Sequence, residues 1–330
     1  MTAIDSNGGS DPRPPLSIVI EWENAGRIGA ARARRMLTQL HAQLDENAGR
    51  FAARPEVLLM FNDRLNTQAE IGALVDAAGD AWAADIRFMP ALDGGYYEQK
   101  NHGAAHTTGE VLIFLDSDVV PEPGWLAGLL DAIVRPEVQV VCGTTSIEPL
   151  GFYAKCMAMI WFFPMRTAER DMVRANRFFA NNVAFRRGVF QQHGFPDSGQ
   201  YRGQCALLAE QLLADGNEIW RNRASHVLHP PPDGMRHFVL RALWHGHDDL
   251  LHKRQVGLPL LREGTRQLRR DLSRVRRNIR EHRRALGVGA GGGIGAFAIG
   301  LGYHGLKYAA FLATLALPGA TGRALARANL

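Results

Sequence analysis

The chain has 330 residues, 46% of them hydrophobic and 22% charged, with a formal net charge of +5. That balance is ordinary for a globular protein with a large buried core. Cys142, Cys156 and Cys205 lie far apart with no C-x-x-C, which excludes a zinc knuckle or a disulfide framework and suits a reducing cytosol. The first fifteen residues, Met1 to Pro15, are polar and rich in Gly, Ser, Asp and Pro. They read as a loose tail and not as a signal peptide.

Leu16 to Ile20 is a short apolar strand, followed by Glu21-Trp22-Glu23-Asn24. Ala30 to Leu44 is predicted helical, with Met36, Leu37, Leu40 and Leu44 at helical spacing. Val57 to Phe61 is a second buried strand that ends at Asn62-Asp63, and a helix over Gln68 to Ala78 and a strand over Ile86 to Met89 follow. Gly94 to Tyr97 reads as a flexible turn, and Gln99 to Thr107 as a helix.

Val111 to Leu115 then runs straight into Asp116-Ser117-Asp118. A continuous apolar run too short for a lone helix fits a strand buried on both faces of a parallel sheet. Ligands of open α/β sheets bind beyond the carboxyl ends of such strands. Pro121 and Pro123 stop the strand. Two hard oxygen donors at that end suit Mg²⁺ or Mn²⁺ holding phosphates; the plainer reading is an Asp capping the next helix. Four alternations of strand and helix up to this point predict a doubly wound, Rossmann-like α/β sheet.

Beyond it come a helix from Trp125 to Val134, a strand from Val138 to Thr144 and an aromatic-rich stretch from Tyr153 to Met165. That stretch suits either a core helix under the sheet or a helix in a membrane interface. Ala180 to Arg187 reads as a short strand, Gly194 to Asp197 as a loop and Leu207 to Leu213 as a helix. His226-Val227-Leu228-His229 precedes three prolines. The stretch from His237 to His252, with its His-x-His-Asp-Asp cluster, reads as a helix closing over the sheet in preference to a metal site.

The order of these blocks resembles the family 2 glycosyltransferases, which have the GT-A fold, over roughly Leu16 to Leu251. The segment from Lys100-Asn101 through Gly109-Glu110 to Asp116-Ser117-Asp118 carries the likeness. The later block Asn181-Asn182-Val183-Ala184-Phe185-Arg186-Arg187, followed by Phe190 and Gly194-Phe195, supports it. The resemblance implies transfer of a sugar from a nucleotide-sugar donor, helped by Mn²⁺ or Mg²⁺ as a Lewis acid on the leaving diphosphate. It assigns the cation to Asp118 with Asp116 near the ribose, and Lys100 to the phosphates or to a solvated surface. Asn62 and Asp63 stand where the family reads the nucleobase, one step later than its usual Asp pair, so the base preference is open. Glu21 and Glu23 replace the usual turn and either bind the nucleoside or only flank that turn. A late histidine often completes the metal site, and His229, fixed by the prolines, fits better than His226.

The likeness fails at the general base, where Gln204-Cys205 stands in place of the family's acid pair. Gln204 is neutral and a Cys is mostly protonated at neutral pH. Three explanations stand: another carboxylate, Asp197 or Glu210, serves; the acceptor is already ionised; or the protein binds a donor without catalysis. A nucleotidyltransferase would need a basic Gly-rich loop after the first strand, which Glu21 to Asn24 does not supply.

The domain division expected is a tail over 1–15, a GT-A unit over 16–255 and an appendage over 256–330. In the appendage Leu261, Leu268, Leu272, Val275, Ile279 and Leu286 recur at helical spacing among arginines, suiting anionic lipid or a partner helix better than nucleic acid. Ala285 to Tyr303 and Leu306 to Leu317 read as a pair of re-entrant or interfacial helices, or as helices packed on the protein's own core or on a second subunit. Together they predict a cytoplasmic protein peripheral to the inner face of a membrane, contacting it through 256–320.

Overall fold

The computed structural model describes residues 14–25, 29–91, 95–198, 201–255, 257 and 259–328. The expected N-terminal tail lies outside them except for residues 14 and 15. One mixed sheet runs through the molecule in the order β3-β2-β1-β4-β8-β6-β9-β5, with β7 on β9. Its strands are β1 (Leu16–Glu21), β2 (Glu56–Phe61), β3 (Asp85–Pro90), β4 (Val111–Asp116), β5 (Val120–Pro121), β6 (Val140–Ile147), β7 (Met172–Ala175), β8 (Asn182–Arg186) and β9 (Ile219–His229). The first four in sheet order pair in parallel, β8 runs antiparallel to both β4 and β6, and β6 pairs with β9 in parallel.

The helices are α1 (Ala30–Glu46), α2 (Gln68–Asp76), α3 (Tyr96–Ala105), α4 (Trp125–Ile133), α5 (Gly151–Ile160), α6 (Arg187–His193), α7 (Gln204–Ala214), α8 (Gly234–Gln255), α9 (Leu260–His282), α10 (Ala290–Ala316) and α11 (Pro318–Ala328). Alternation along the strands explains the two layers. Ile18, Ile20, Leu59, Ile113 and Leu115 face α1 and α4, while Val19, Leu58, Met60, Leu112 and Phe114 face α3, Phe185, Phe190 and Phe195. Both faces are covered, so the runs are apolar throughout.

Two sequence expectations change here. Tyr96 and Tyr97 open α3 instead of forming a turn, because Glu98 reaches back to the Gly95 N–H at 2.7 Å and caps the helix. The expected pair of apolar helices is the single 27-residue α10, and among the described residues no helix is long and apolar enough to cross a membrane. Glycines let α10 pack closely: a Cβ on Gly300 would come within 2.9 Å of Val275 and 3.2 Å of Ile160. The aromatic stretch ends its helix at Ile160, and Cys156, Met157, Met159, Ile160 and Trp161 join Val275, Ile279, Ala296 and Tyr303 in a third core. The core reading of that stretch therefore holds. Val275 and Ile279 of α9 pack in the core shared with α5 and α10, Leu261 is exposed, and most of its arginines lie outward.

Candidate active site

The carboxyl ends of β1 and β4 open into a cavity of about 300 Å³, roofed by α8 and the loop before α7. Glu21 and Asp116 are register partners at those ends. The Asp116 carboxylate accepts from the Tyr96 hydroxyl at 2.7 and 2.8 Å and from Lys100 Nζ at 2.7 Å. Lys100 is 0% exposed and also donates to the Leu115 carbonyl, so its charge is spent on Asp116 and not on a solvated surface. Neither oxygen of Glu21 faces the cavity freely: one accepts from the Glu23 N–H at 2.9 Å, the other from Asn24 Nδ2 at 2.6 Å. Burial, reinforced by Asp116, pushes the Glu21 carboxyl well above the usual range. Asn24, which the sequence reading passed over, lines the cavity instead.

Asp118 is 6% exposed and its Oδ1 is buried without a hydrogen-bond partner. Its Oδ2 lies 3.7 Å from His229 Nε2. Burial raises the Asp118 carboxyl and lowers the His229 imidazole. His229 Nδ1 bonds the Pro230 carbonyl at 2.5 Å, which leaves Nε2 as the lone-pair nitrogen aimed at Asp118. Arg32 on α1 holds this pair in place: Nε donates to the Asp118 carbonyl at 2.6 Å, Nη2 to the Leu228 carbonyl at 2.8 Å, and Nη1 to Glu148 at 2.6 Å. One guanidinium thus ties the end of β4 to the end of β9, and no sequence spacing signals it.

His226 turns away from the cavity, bonding Ser146 at 2.9 Å and Glu122 at 2.8 Å. Asn62 makes a local turn, its Oδ1 accepting from the Arg64 N–H, and Asp63 is exposed. Neither contributes to the cavity wall among the described residues. Asn182 is structural, accepting from Trp125 Nε1 at 2.8 Å, whereas Asn181 lines the cavity. The candidate bases scatter: Asp197 is exposed, Glu210 pairs outward with His252 at 3.1 Å, and Gln204 starts α7 outside the wall. Burial raises the Cys205 thiol still further from a thiolate.

What fills the other end of the cavity comes from α8. Asp248 accepts from the N–H groups of Tyr201 and Arg202 at 2.9 and 2.8 Å, clamping the loop that carries Arg202 across the Tyr96 ring at 3.8 Å. Burial lifts Asp248 to about 6. Asp249 pairs with Lys307 of α10 at 2.7 Å. The helix reading of the His-x-His-Asp-Asp cluster holds; among the described residues no group of three or more His, Cys, Asp and Glu stands assembled as a metal site. Asp118 and His229 nevertheless fit half of one, since Mg²⁺ and Mn²⁺ sites commonly use one or two protein ligands and complete the shell with substrate phosphates.

Residues 62–194 match the model of glycosyl transferase family 2. The glucosyl-dolichyl phosphate glucuronosyltransferase of Haloferax volcanii is 24% identical over 181 residues, covering 48% of this chain and 57% of that protein. The match therefore spans little more than half the length of that relative. The mannosyltransferase PcManGT from Pyrobaculum calidifontis, solved with GDP-Man and Mn²⁺, has a TM-score of 0.56 at 15% identity, over 93% of this chain and 88% of that one. GalNAc-T7, solved with UDP, GalNAc and Mn²⁺, has a TM-score of 0.50 at 14% identity, over 72% and 51% of the two chains. These structural likenesses are of fold.

Proposed function

We propose that this chain, whose residues 62–194 match the glycosyl transferase family 2 model on a GT-A-like scaffold, moves a sugar from a nucleoside-diphosphate donor to an acceptor with the help of Mn²⁺ or Mg²⁺. The observation that carries the reading is Asp118 at the end of β4, with one buried oxygen unpartnered and the other facing the lone-pair nitrogen of His229. Asp118 and His229 would hold the cation, which supplies Lewis-acid neutralisation of charge on the leaving diphosphate. Asn24 lines the same cavity and would orient the nucleotide. Asp116 keeps its contacts with Tyr96 and Lys100 and sets the strand end against which the donor would rest.

Calorimetric titration with UDP- and GDP-sugars in the presence of Mn²⁺ tests this. Binding in wild type that is lost in Asp118→Ala supports it; no binding, or equal binding in the variant, sinks it. A second reading, donor binding without turnover, draws on Gln204 and Cys205 and on the outward positions of Asp197 and Glu210. Steady turnover with a defined acceptor removes that reading. For the place of action, the exposed arginines of α9, among them Arg262, Arg266, Arg269, Arg270, Arg276 and Arg277, support peripheral attachment to an anionic membrane surface.

A further inference from the structure

Arg241 stands on the cavity face of α8, touching the rings of Trp161 at 6.0 Å and Tyr201 at 5.9 Å, and its Nε is buried without a hydrogen-bond partner. The acids beside it are committed elsewhere: both oxygens of Asp248 accept backbone N–H groups, and Asp249 is paired with Lys307. Arg202 lies 4.9 Å from the Tyr201 ring; its Nη2 reaches Asn24 at 3.2 Å and Glu23 at 3.6 Å, while its Nε and Nη1 are buried without hydrogen-bond partners. Two guanidiniums with idle donors in one cavity carry a desolvation cost that an anionic ligand would offset.

The groups that could take a proton at the cavity wall are engaged: His237 Nδ1 accepts from the Asp233 N–H at 3.1 Å, His245 Nδ1 bonds the Tyr303 hydroxyl at 2.6 Å, and His252 Nε2 faces Glu210 at 3.1 Å. The carboxylates lining the cavity among the described residues are Asp116, Asp118, Asp248 and Asp249, and Cys205 is held as a thiol. An alcohol must lose a proton to attack, whereas an oxyanion need not. We propose that the acceptor is an oxyanion, a phosphate monoester or a carboxylate, whose own charged oxygen is the nucleophile, and that Arg241 together with Arg202 binds it. The reaction step rests on the glycosyl-transfer reading above. The acceptor oxygen supplies the electron pair for the new bond to the anomeric carbon. The bond from that carbon to the diphosphate breaks, its pair leaves with the nucleoside diphosphate, and no proton is transferred.

The test uses the full chain with Mn²⁺ and UDP or GDP, into which methyl phosphate and, separately, acetate are titrated. At least one probe binds wild type, binds Arg241→Gln at least tenfold more weakly and is partly restored in Arg241→Lys. Nucleotide affinity stays within twofold, and the unfolding midpoint of each variant matches wild type. The probe that binds distinguishes phosphate from carboxylate. The proposal is overturned if neither probe binds wild type, if Arg241→Gln binds them equally, or if that variant loses the nucleotide instead. Arg241-dependent binding of a probe without any nucleotide binding keeps the anion site and removes the glycosyl-transfer reading. In turnover at pH 8, transfer to the oxyanion releases no proton per sugar moved, and release of one proton overturns the nucleophile assignment.

Discussion

Asp116 and Asp118 are one residue apart and differ in what they touch. Asp116 is the counter-charge of a fully buried lysine, so removing it strands Lys100 in the core. Breaking a buried pair in this way costs about 3–5 kcal/mol. Asp118 is buried with a raised carboxyl and an unpartnered oxygen, so its removal relieves desolvation. In urea unfolding without added metal, Asp116→Ala is expected to lose most of that range and Asp118→Ala to stay within about 1 kcal/mol of wild type. Equal losses would show that the two carboxylates do the same structural job. Asp248 supplies a pH test. Its folded pKa of about 6 lies above the usual carboxylate range, so the folded state holds the proton more tightly. The stability it contributes is full below the unfolded pKa and is lost as pH rises through 6. Replacing it with Asn should shrink the difference in unfolding free energy between pH 5 and pH 7.5 by about 1.5 kcal/mol relative to wild type. An unchanged difference would mean that Asp248 titrates as an ordinary surface acid.

At the scale of elements, α9 shows how a pattern can be right and its partner wrong. The three- and four-residue spacing of Leu268, Leu272, Val275 and Ile279 does make one apolar face, but its Val275 and Ile279 are buried in the core shared with α5 and α10 and its Leu268 and Leu272 are half-buried. Outward lie mostly arginines, with Leu261 at the start of the helix the one exposed large apolar residue, so any membrane contact of this helix is mainly electrostatic and screened by salt. Vesicle flotation should therefore find the chain on anionic and not on zwitterionic lipid, with binding lost near 1 M salt. Replacing Arg269, Arg270, Arg276 and Arg277 with Glu should abolish flotation without changing the unfolding midpoint. Flotation that persists in high salt would point to apolar insertion instead. The helix α8 makes the opposite case. It was expected as a helix closing over the sheet, and it also carries Arg241, His245, Asp248 and Asp249 to the cavity and holds α10 close through Gly246, where a Cβ would clash with the Lys307 carbonyl.

Over the whole molecule, the expected boundary near residue 255 crosses a shared core. Ile160 and Trp161 from the sheet side and Val275, Ala296 and Tyr303 from the last helices belong to one cluster, and Trp161 Nε1 donates to the Tyr303 hydroxyl at 2.8 Å. A chain ending at residue 255 would expose that cluster, losing roughly 1.5–3 kcal/mol for each large side chain uncovered. It is expected to unfold without a cooperative transition and to bind a hydrophobic dye. A truncated chain that is soluble and unfolds cooperatively would make residues 256–330 a separable appendage after all.

The strands β1, β2 and β4 were legible because a sheet covered on both faces demands unbroken apolar runs, and the place of Asp116 and Asp118 at the cavity was legible because they end such a strand. Local spacing carries that much. It does not carry which charged group meets which: that Lys100 belongs to Asp116, that Arg32 joins the ends of β4 and β9, or that α8 brings Arg241 and Asp248 to the cavity. Those pairings span tens to nearly two hundred residues of chain, with |i−j| of 16, 86 and 196 for the first three contacts. Such contacts depend on sheet order and helix packing, which only the tertiary structure decides.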